Sequence, residues 1–336
     1  MPGRPHRDEQ SCAVPVRLPR PKPFRFCVQA SAPPAGLTGT AADGPAWREL
    51  ARRVEALGYD TLSVADHLDA QLAPTPALVA AAEATSTLRV GALVWCNDYH
   101  HPVVLAKEAA TIDLLSDGRL EFGLGAGWMT TDYTEAGIAL DPPATRVDRL
   151  TEAVGIVRRL LDGETVDHEG THYRVSGHRL TPRPVQARVP ILVGGGGRRV
   201  LSAAARLADV VGLNVNLAAG RIDERAGPNA TVDATERKLA WIADAAGDRY
   251  DDLELQTRVH VTAVTDDRDG VAALHAPALG ISPDAALASP HALAGTVDQL
   301  VDTVVERRER FGISVVTIGV EAFEDFAPVV ARLAGT

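Results

Sequence analysis

From Phe24 onward, short apolar runs alternate with stretches whose apolar positions recur at helical spacing, the rhythm of a parallel sheet with crossover helices. The runs that read as strands cover residues 24–30, 61–65, 88–95, 119–125, 189–194, 210–214, 253–264 and 313–320. After the first run, Trp47, Leu50, Ala51, Val54 and Leu57 share one helical face, and Gly58 supplies the stop. Further helices are predicted over residues 144–161 and 198–208. Ahead of the last run, Thr296 and Gln299 have the spacing of a capping box before Val297, Leu300, Val301 and Val304. Eight strands in this rhythm predict an α/β fold of the closed (β/α)8 TIM-barrel type rather than an open doubly wound sheet.

Two departures stand out. Residues 162–188 contain Tyr173, Arg174 and Val175 in a strand-like stretch, which predicts a hairpin inserted before the fifth strand. Residues 218–233 and 266–288, polar or rich in small side chains, are expected to form mobile loops near the site. Residues 1–23 are rich in Pro and Arg and have no periodicity, so they are expected to be a disordered arm, with the barrel domain spanning 24–336.

Composition narrows the class. A chain of 336 residues accommodates a barrel of about 250 residues with insertions. A formal charge of −10 excludes a duplex nucleic-acid binder, which needs a basic face. No apolar run approaches the roughly 18 residues of a membrane-spanning helix, and the first residues lack the apolar core of a signal peptide. Cys12, Cys27 and Cys96 are far apart and form no CxxC, so neither a disulfide framework nor a metal site is indicated. The expectation is a soluble, cytoplasmic protein acting on a small molecule, with no nucleic-acid or membrane partner.

In barrels of this kind the active site lies at the C-terminal ends of the strands, and the unusual residues gather there. The second strand ends in Asp66 and His67. The third runs into Trp95, Cys96, Asn97, Asp98, Tyr99, His100 and His101. The fourth ends in Gly123–Leu–Gly125–Ala126–Gly127–Trp128, and the sixth in Asn214. The fifth ends in Gly194, Gly195, Gly196 and Gly197, followed by Arg198, Arg199 and a helix. Glycines let backbone N–H groups approach an anion, and a helix N-terminus favours negative charge, so this turn reads as a phosphate cradle in which a carboxylate at Gly195 or Gly196 would displace the phosphate. A dinucleotide GxGxxG fingerprint fails in both places, because Trp128 and Arg199 occupy the third glycine position. Asp66 beside His67 reads either as a tuned proton donor or as a structural histidine capping a strand; residue chemistry leaves both open. His168, Glu169 and His172 spell HExxH, but Gly163 and Gly170 and the strand-like residues that follow deny it the helix a zinc site needs. Trp95, Asn97, His100, Trp128 and Asn214 are expected to line the substrate pocket.

Several passages together resemble the luciferase-like monooxygenase superfamily over roughly residue 24 to the C-terminus. They are Ala65–Asp66–His67, the stretch from His101 to Trp128, Tyr133 and Gly137, Pro182 to Gln186, residues 189–199, and 295–314. The last is similar to the actinobacterial branch of probable coenzyme F420-dependent oxidoreductases. The resemblance implies a bacterial-luciferase-like barrel with a flavin or deazaflavin at its mouth. It implies a non-proline cis peptide at Ala92–Leu93 behind the ring and makes His67 the catalytic histidine, with Asp66 beside it. It places Gly125, Ala126 and Gly127 along the cofactor tail and its phosphate on Gly194 through Gly197, with Arg198 near. By the same analogy a homodimer is expected. Sugar-phosphate dehydrogenases of the family carry a glutamate where this chain has Trp128, which implies a more apolar substrate. The leading expectation is F420-dependent hydride transfer to a C=C or C=N bond. An FMN-dependent monooxygenase and a non-catalytic flavin-binding barrel are the alternatives.

Overall fold

A computed structural model describes residues 17–30, 43–221 and 223–336. Eight parallel strands form the barrel: β1 (Arg25–Ala30), β2 (Thr61–Val64), β3 (Arg89–Ala92), β4 (Leu120–Gly125), β5 (Ile191–Gly195), β6 (Val210–Leu213), β7 (Glu254–Arg258) and β8 (Ile313–Gly319). They run in the order β3-β2-β1-β8-β7-β6-β5-β4, and pairing of Val90 with Leu120 and Gly91 with Glu121 closes the ring. Side chains and helices cover both faces of every strand, which is why the runs read as near-continuously apolar. Every residue of β8 is buried.

Helices α1 (Asp43–Ala56), α2 (Pro74–Ala84), α3 (Pro102–Leu115), α4 (Thr130–Ala136), α5 (Pro143–Leu161), α6 (Arg198–Leu207), α7 (Val232–Ala246), α8 (Arg268–Leu279), α9 (Pro283–Ala288), α10 (Val297–Phe311) and α11 (Phe323–Leu333) surround or cap the barrel. The Thr296–Gln299 capping box forms in both directions. The hairpin before β5 pairs Thr165–Glu169 with Arg174–Arg179 in antiparallel register.

Three expectations are corrected. The run 88–95 is not one strand: β3 stops at Ala92, and Trp95–Cys96 resumes pairing, with Trp95 opposite Leu124. The run 253–264 divides after β7, and Val261–Val264 leaves the barrel to pair with Ala292–Gly295. Residues 266–288 are not a loop but α8 and α9, capped by Asp267 and Ser282; alanine-rich composition and the internal Pro277 hide their periodicity. Part of the expected arm also lies on the barrel: Arg17 pairs with Asp251 at 2.7 Å and Pro19 is buried beside Gly312. Residues 1–16 lie outside the described residues.

The barrel interior is layered. At the N-terminal end the Arg25 guanidinium pairs with Asp60 and Glu254, each at 2.7 Å, and with Glu121. A recess of about 440 Å³ opens at this end, which in such barrels serves stability rather than chemistry. Above it, Cys27, Ser63, Gln256 and Thr317 surround a space of only about 20 Å³. Inward-facing side chains alternate along each strand. The uppermost inward layer is therefore Gln29, Gly125, Gly194, Asn214, Arg258 and Gly319. Three glycines in that layer add no side chain of their own to the floor of the mouth, where Val94 lies against Gly125 and Glu321 over Gly319, and Gln29, Asn214 and Arg258 are its polar projections.

Candidate active site

Asp66 and His67 do not pair with each other. Neighbours at a strand end point in opposite directions, so each finds a partner on another element. Asp66, 8% exposed, accepts hydrogen bonds through Oδ2 from the Cys96 N–H at 2.9 Å and pairs with His100 Nε2 at 2.8 Å. His67 Nδ1 sits 2.7 Å from Oδ2 of Asp132, a residue in the first turn of α4 that is only 3% exposed. Asp132 is fixed in turn by the Leu68 N–H at 3.3 Å and the Tyr99 hydroxyl at 3.2 Å. Trp128 meets the His67 ring edge-on, with centroids 5.6 Å apart. A carboxylate at Nδ1 holds the proton there in the neutral ring and leaves Nε2 as the working nitrogen. Asp132, missed in the sequence, is thus the partner that Asp66 was expected to be. Its signal was slight: an acidic residue in the turn after Trp128.

The strand-three interruption lies between β1 and β4 at the mouth. The cis peptide is Leu93–Val94, one bond beyond the position implied by the family resemblance, with Ala92 still in β3. The Leu93 carbonyl accepts from Gln29 Nε2 at 2.5 Å. Val94 then packs so closely on β4 that a side chain at Gly125 would stand 2.5 Å from its Cγ2. Gly127, at φ +72°, leaves room for the Tyr133 hydroxyl, and Arg146 donates to the Ala126 and Gly127 carbonyls. Gly125 and Gly127 therefore have a packing reason to be glycine, whatever runs past them.

Two expected pocket residues face elsewhere. Trp95 is fully buried and stacks on Phe122, so it belongs to the core. Asn97, 2% exposed, donates to the Tyr173 hydroxyl at 3.0 Å and ties this segment to the hairpin. That hairpin also holds the HExxH letters. His168 is on a strand, and Glu152 of α5 accepts from His168 Nε2 at 2.8 Å and from the His172 and Tyr173 N–H groups. Burial alone would raise the Glu152 carboxyl, but these donors outweigh it and hold it below the usual range. Among the described residues no cluster of three or more His, Cys, Asp or Glu is arranged to hold a metal.

Gly194 and Gly195 end β5, and Gly197 is the N-cap of α6. The four glycines are not equivalent. A Cβ at Gly196 would lie 2.3 Å from the Val215 backbone and one at Gly195 would lie 2.4 Å from Val200, whereas Gly197 has no atom within 4 Å. Gly197 and the first turn of α6 thus form the open part of the cradle. Arg198 is exposed and has no ion pair among the described residues, while Arg199 is held by Asp148 at 2.5 Å. Arg199 is therefore not the available cation.

Next to this turn, at the end of the adjoining β6, Asn214 Oδ1 faces His260 Nε2 at 2.9 Å. Lys238, 1% exposed, donates to the Asn214 carbonyl at 2.8 Å and the Asn229 carbonyl at 2.7 Å. Burial, and then Arg237, push its ammonium down to about 7. Desolvation, and then Arg258, hold the His260 ring below the usual imidazole range, although its surface reaches solvent. Arg258 donates through Nε to Gln29 Oε1 at 2.5 Å. None of Gln29, Arg258, Lys238 or His260 was picked out in the sequence, although the inward alternation Glu254, Gln256, Arg258 would have shown it once the register was known. A floor of Gly194 and Val94, an open helix N-terminus and an oriented histidine suit a flat ring with an anionic tail.

The chain matches the model of the family described as luciferase-like monooxygenase over residues 24–229. A relative from Nakamurella multipartita, named F420-dependent glucose-6-phosphate dehydrogenase, is 30% identical over 254 residues, covering 73% of this chain and 70% of that protein. The chain spans only 44% to 48% of the length of several other curated relatives it matches. The coenzyme F420-dependent tetrahydromethanopterin reductase of Methanopyrus kandleri superposes with a TM-score of 0.70 at 18% identity, over 93% of this chain and 99% of that one. The oxygenating constituent of 3,6-diketocamphane monooxygenase from Pseudomonas putida, solved with FMN, gives 0.67 at 16%, over 94% and 98%. At these identities the two structures speak to the fold alone. The family match covers more than half of the chain, and the barrel that carries it is the one described above: this chain belongs to the luciferase-like monooxygenase family.

Proposed function

We propose that the protein is an oxidoreductase that uses coenzyme F420 to reduce an activated C=C or C=N bond in a small organic substrate. The observation that carries this reading is His67, oriented through Nδ1 by buried Asp132 and set edge-on to Trp128 at the mouth. When bound and reduced, the cofactor supplies a hydride and is left oxidised by two electrons. In its imidazolium form His67 delivers the Nε2 proton to the substrate atom next to the one that takes the hydride, becoming neutral with Nδ1–H still donating to Asp132, and solvent restores the Nε2 proton. Gly194 and the Val94 side chain over Gly125 would seat the ring, Gly197 and the α6 N-terminus its phosphate, and Arg198 part of its further negative charge. The name of the Nakamurella relative supports F420.

An FMN-dependent monooxygenase is the second reading, because a single phosphate satisfies the Gly197 cradle and a barrel of the same fold was solved with FMN. A barrel that merely stores a flavin has no use for the His67–Asp132 pair. Titration of the purified chain with F420 and with FMN separates the first two, the expectation being tighter F420 binding. His67→Ala should leave cofactor affinity within about tenfold and lower turnover by roughly 10²–10⁴. FMN binding at least as tightly, with oxygen consumed in the presence of its reduced form and substrate, replaces the hydride-transfer reading with the monooxygenase one.

A further inference from the structure

Arginines elsewhere in the folded interior have anionic or carbonyl partners. Arg25 meets three carboxylates, Arg149 meets Asp98 and Asp141, Arg158 meets Asp209, and Arg307 donates to the Leu287 and Ala292 carbonyls. Arg258, like Arg307, has no carboxylate partner among the described residues, but unlike Arg307 it opens onto the mouth. It closes the inward row Glu254, Gln256, Arg258 at the mouth, where it is half-buried. Its Nε donates to Gln29 and one amino group donates to the Val259 carbonyl, which leaves the second amino group without an acceptor among the described residues. None of the described carboxylates lies within 4.0 Å of it. The one carboxylate felt by Arg258 is Glu321, which folds back over Gly319 on β8 and has no partner among the described residues. A partly desolvated guanidinium whose acidic neighbour lies beyond ion-pair distance is unfavourable by itself and becomes favourable when an anion docks. Gln29, anchored to the Leu93 carbonyl, fixes the plane of its fork.

We propose that Arg258 is the anion-binding group of the mouth and that it takes a planar, carboxylate-like anion. The anion has two sources with the same chemistry: the carboxylate of an organic-acid substrate, or the deprotonated edge of a reduced ring cofactor. The second source rests on the oxidoreductase reading; the first does not. The inference gives the apolar substrate expected from Trp128 a charged end.

The test uses the purified full chain with benzoate and its neutral counterpart benzamide, titrated by calorimetry without cofactor. Benzoate should bind at least tenfold more tightly than benzamide. Arg258→Met should erase that preference, Arg258→Lys should retain part of it, and Glu321→Gln should tighten benzoate by threefold or more. If Arg258→Met does not fold, the wild-type preference and the Glu321→Gln response still decide. A second arm measures oxidised and reduced cofactor dissociation constants; a tenfold loss for the reduced form only in Arg258→Met assigns the ring edge as the source. Equal benzoate and benzamide affinity, with both redox forms bound equally well by wild type and Arg258→Met, overturns the proposal, as does weaker benzoate binding in Glu321→Gln. Failure of every ring cofactor to bind would instead strike the oxidoreductase reading and leave the benzoate comparison standing.

Discussion

Asp132→Asn should lower kcat by about 10- to 150-fold while KM stays within about threefold, because Asp132 acts on the reacting proton only through His67. The magnitude follows from the contacts. One carboxylate oxygen faces His67 Nδ1 at 2.7 Å and the Tyr99 hydroxyl at 3.2 Å, and the other faces the Leu68 N–H at 3.3 Å. An amide fills the same volume but offers one acceptor oxygen. If that oxygen keeps Leu68, the amide NH2 faces Nδ1, which must then be an acceptor and cannot carry the proton of an imidazolium. What is lost is a charge-assisted hydrogen bond of about 1.5–3 kcal/mol, and each 1.36 kcal/mol is a tenfold rate. Steady-state kinetics on Asp132→Asn, His67→Gln and the double variant measure the coupling. The double variant should be no slower than His67→Gln alone. If the two single losses multiply instead, Asp132 works independently of His67 and the pairing argument fails.

Gly197→Asp should fold with an unchanged or slightly raised melting temperature, since Asp is a good N-cap, yet weaken the cofactor at least tenfold by placing a carboxylate in the cradle. Gly196→Ala should instead lower the melting temperature, because its Cβ would lie 2.3 Å from the Val215 backbone; equal thermal stability of the two variants would remove the distinction. Arg198→Ala should weaken F420 more than FMN, whereas Arg199→Ala, which breaks an exposed pair with Asp148 worth at most about 1 kcal/mol, should affect neither. Lys238 titrates near 7 in the folded chain against 10.5 for the unconstrained group. Between those values the unfolded chain holds a proton that the folded chain does not, so folding gains stability as pH rises. Relative to Lys238→Met, the wild type should gain about 5 kcal/mol across that window at most, with the penalty complete below it. Urea unfolding of both proteins at several pH values measures this, and a pH-independent difference would refute the burial argument.

The strands were legible because burial on both faces makes each one an apolar run that no surface element imitates. The same property hid the interruption after Ala92, since Leu93 and Val94 continue the apolar pattern through a point where pairing stops. The glycines of β4 were read as a path for the cofactor tail, but hydropathy says nothing of Val94 or the Tyr133 hydroxyl pressing on them. Position at strand ends located the site correctly and mispaired its members. Asp66 and His67 are adjacent in sequence, yet a strand turns consecutive side chains to opposite sides, so adjacency there argues against contact. The pairs that form are His67 with Asp132, His100 with Asp66, His260 with Asn214 and Arg258 with Gln29, separated by 65, 34, 46 and 229 residues. No local motif spans such distances. They become predictable only once strand order and inward parity are known together, because parity selects which residues enter the mouth and order decides which of them are neighbours. Arg258 illustrates the gain: on its own it is one arginine among many, but parity sets it above Gln256, and β8 alone separates its strand from that of Gln29. A cation so placed, with no carboxylate within 4.0 Å among the described residues, is the group on which an anion entering the mouth would dock.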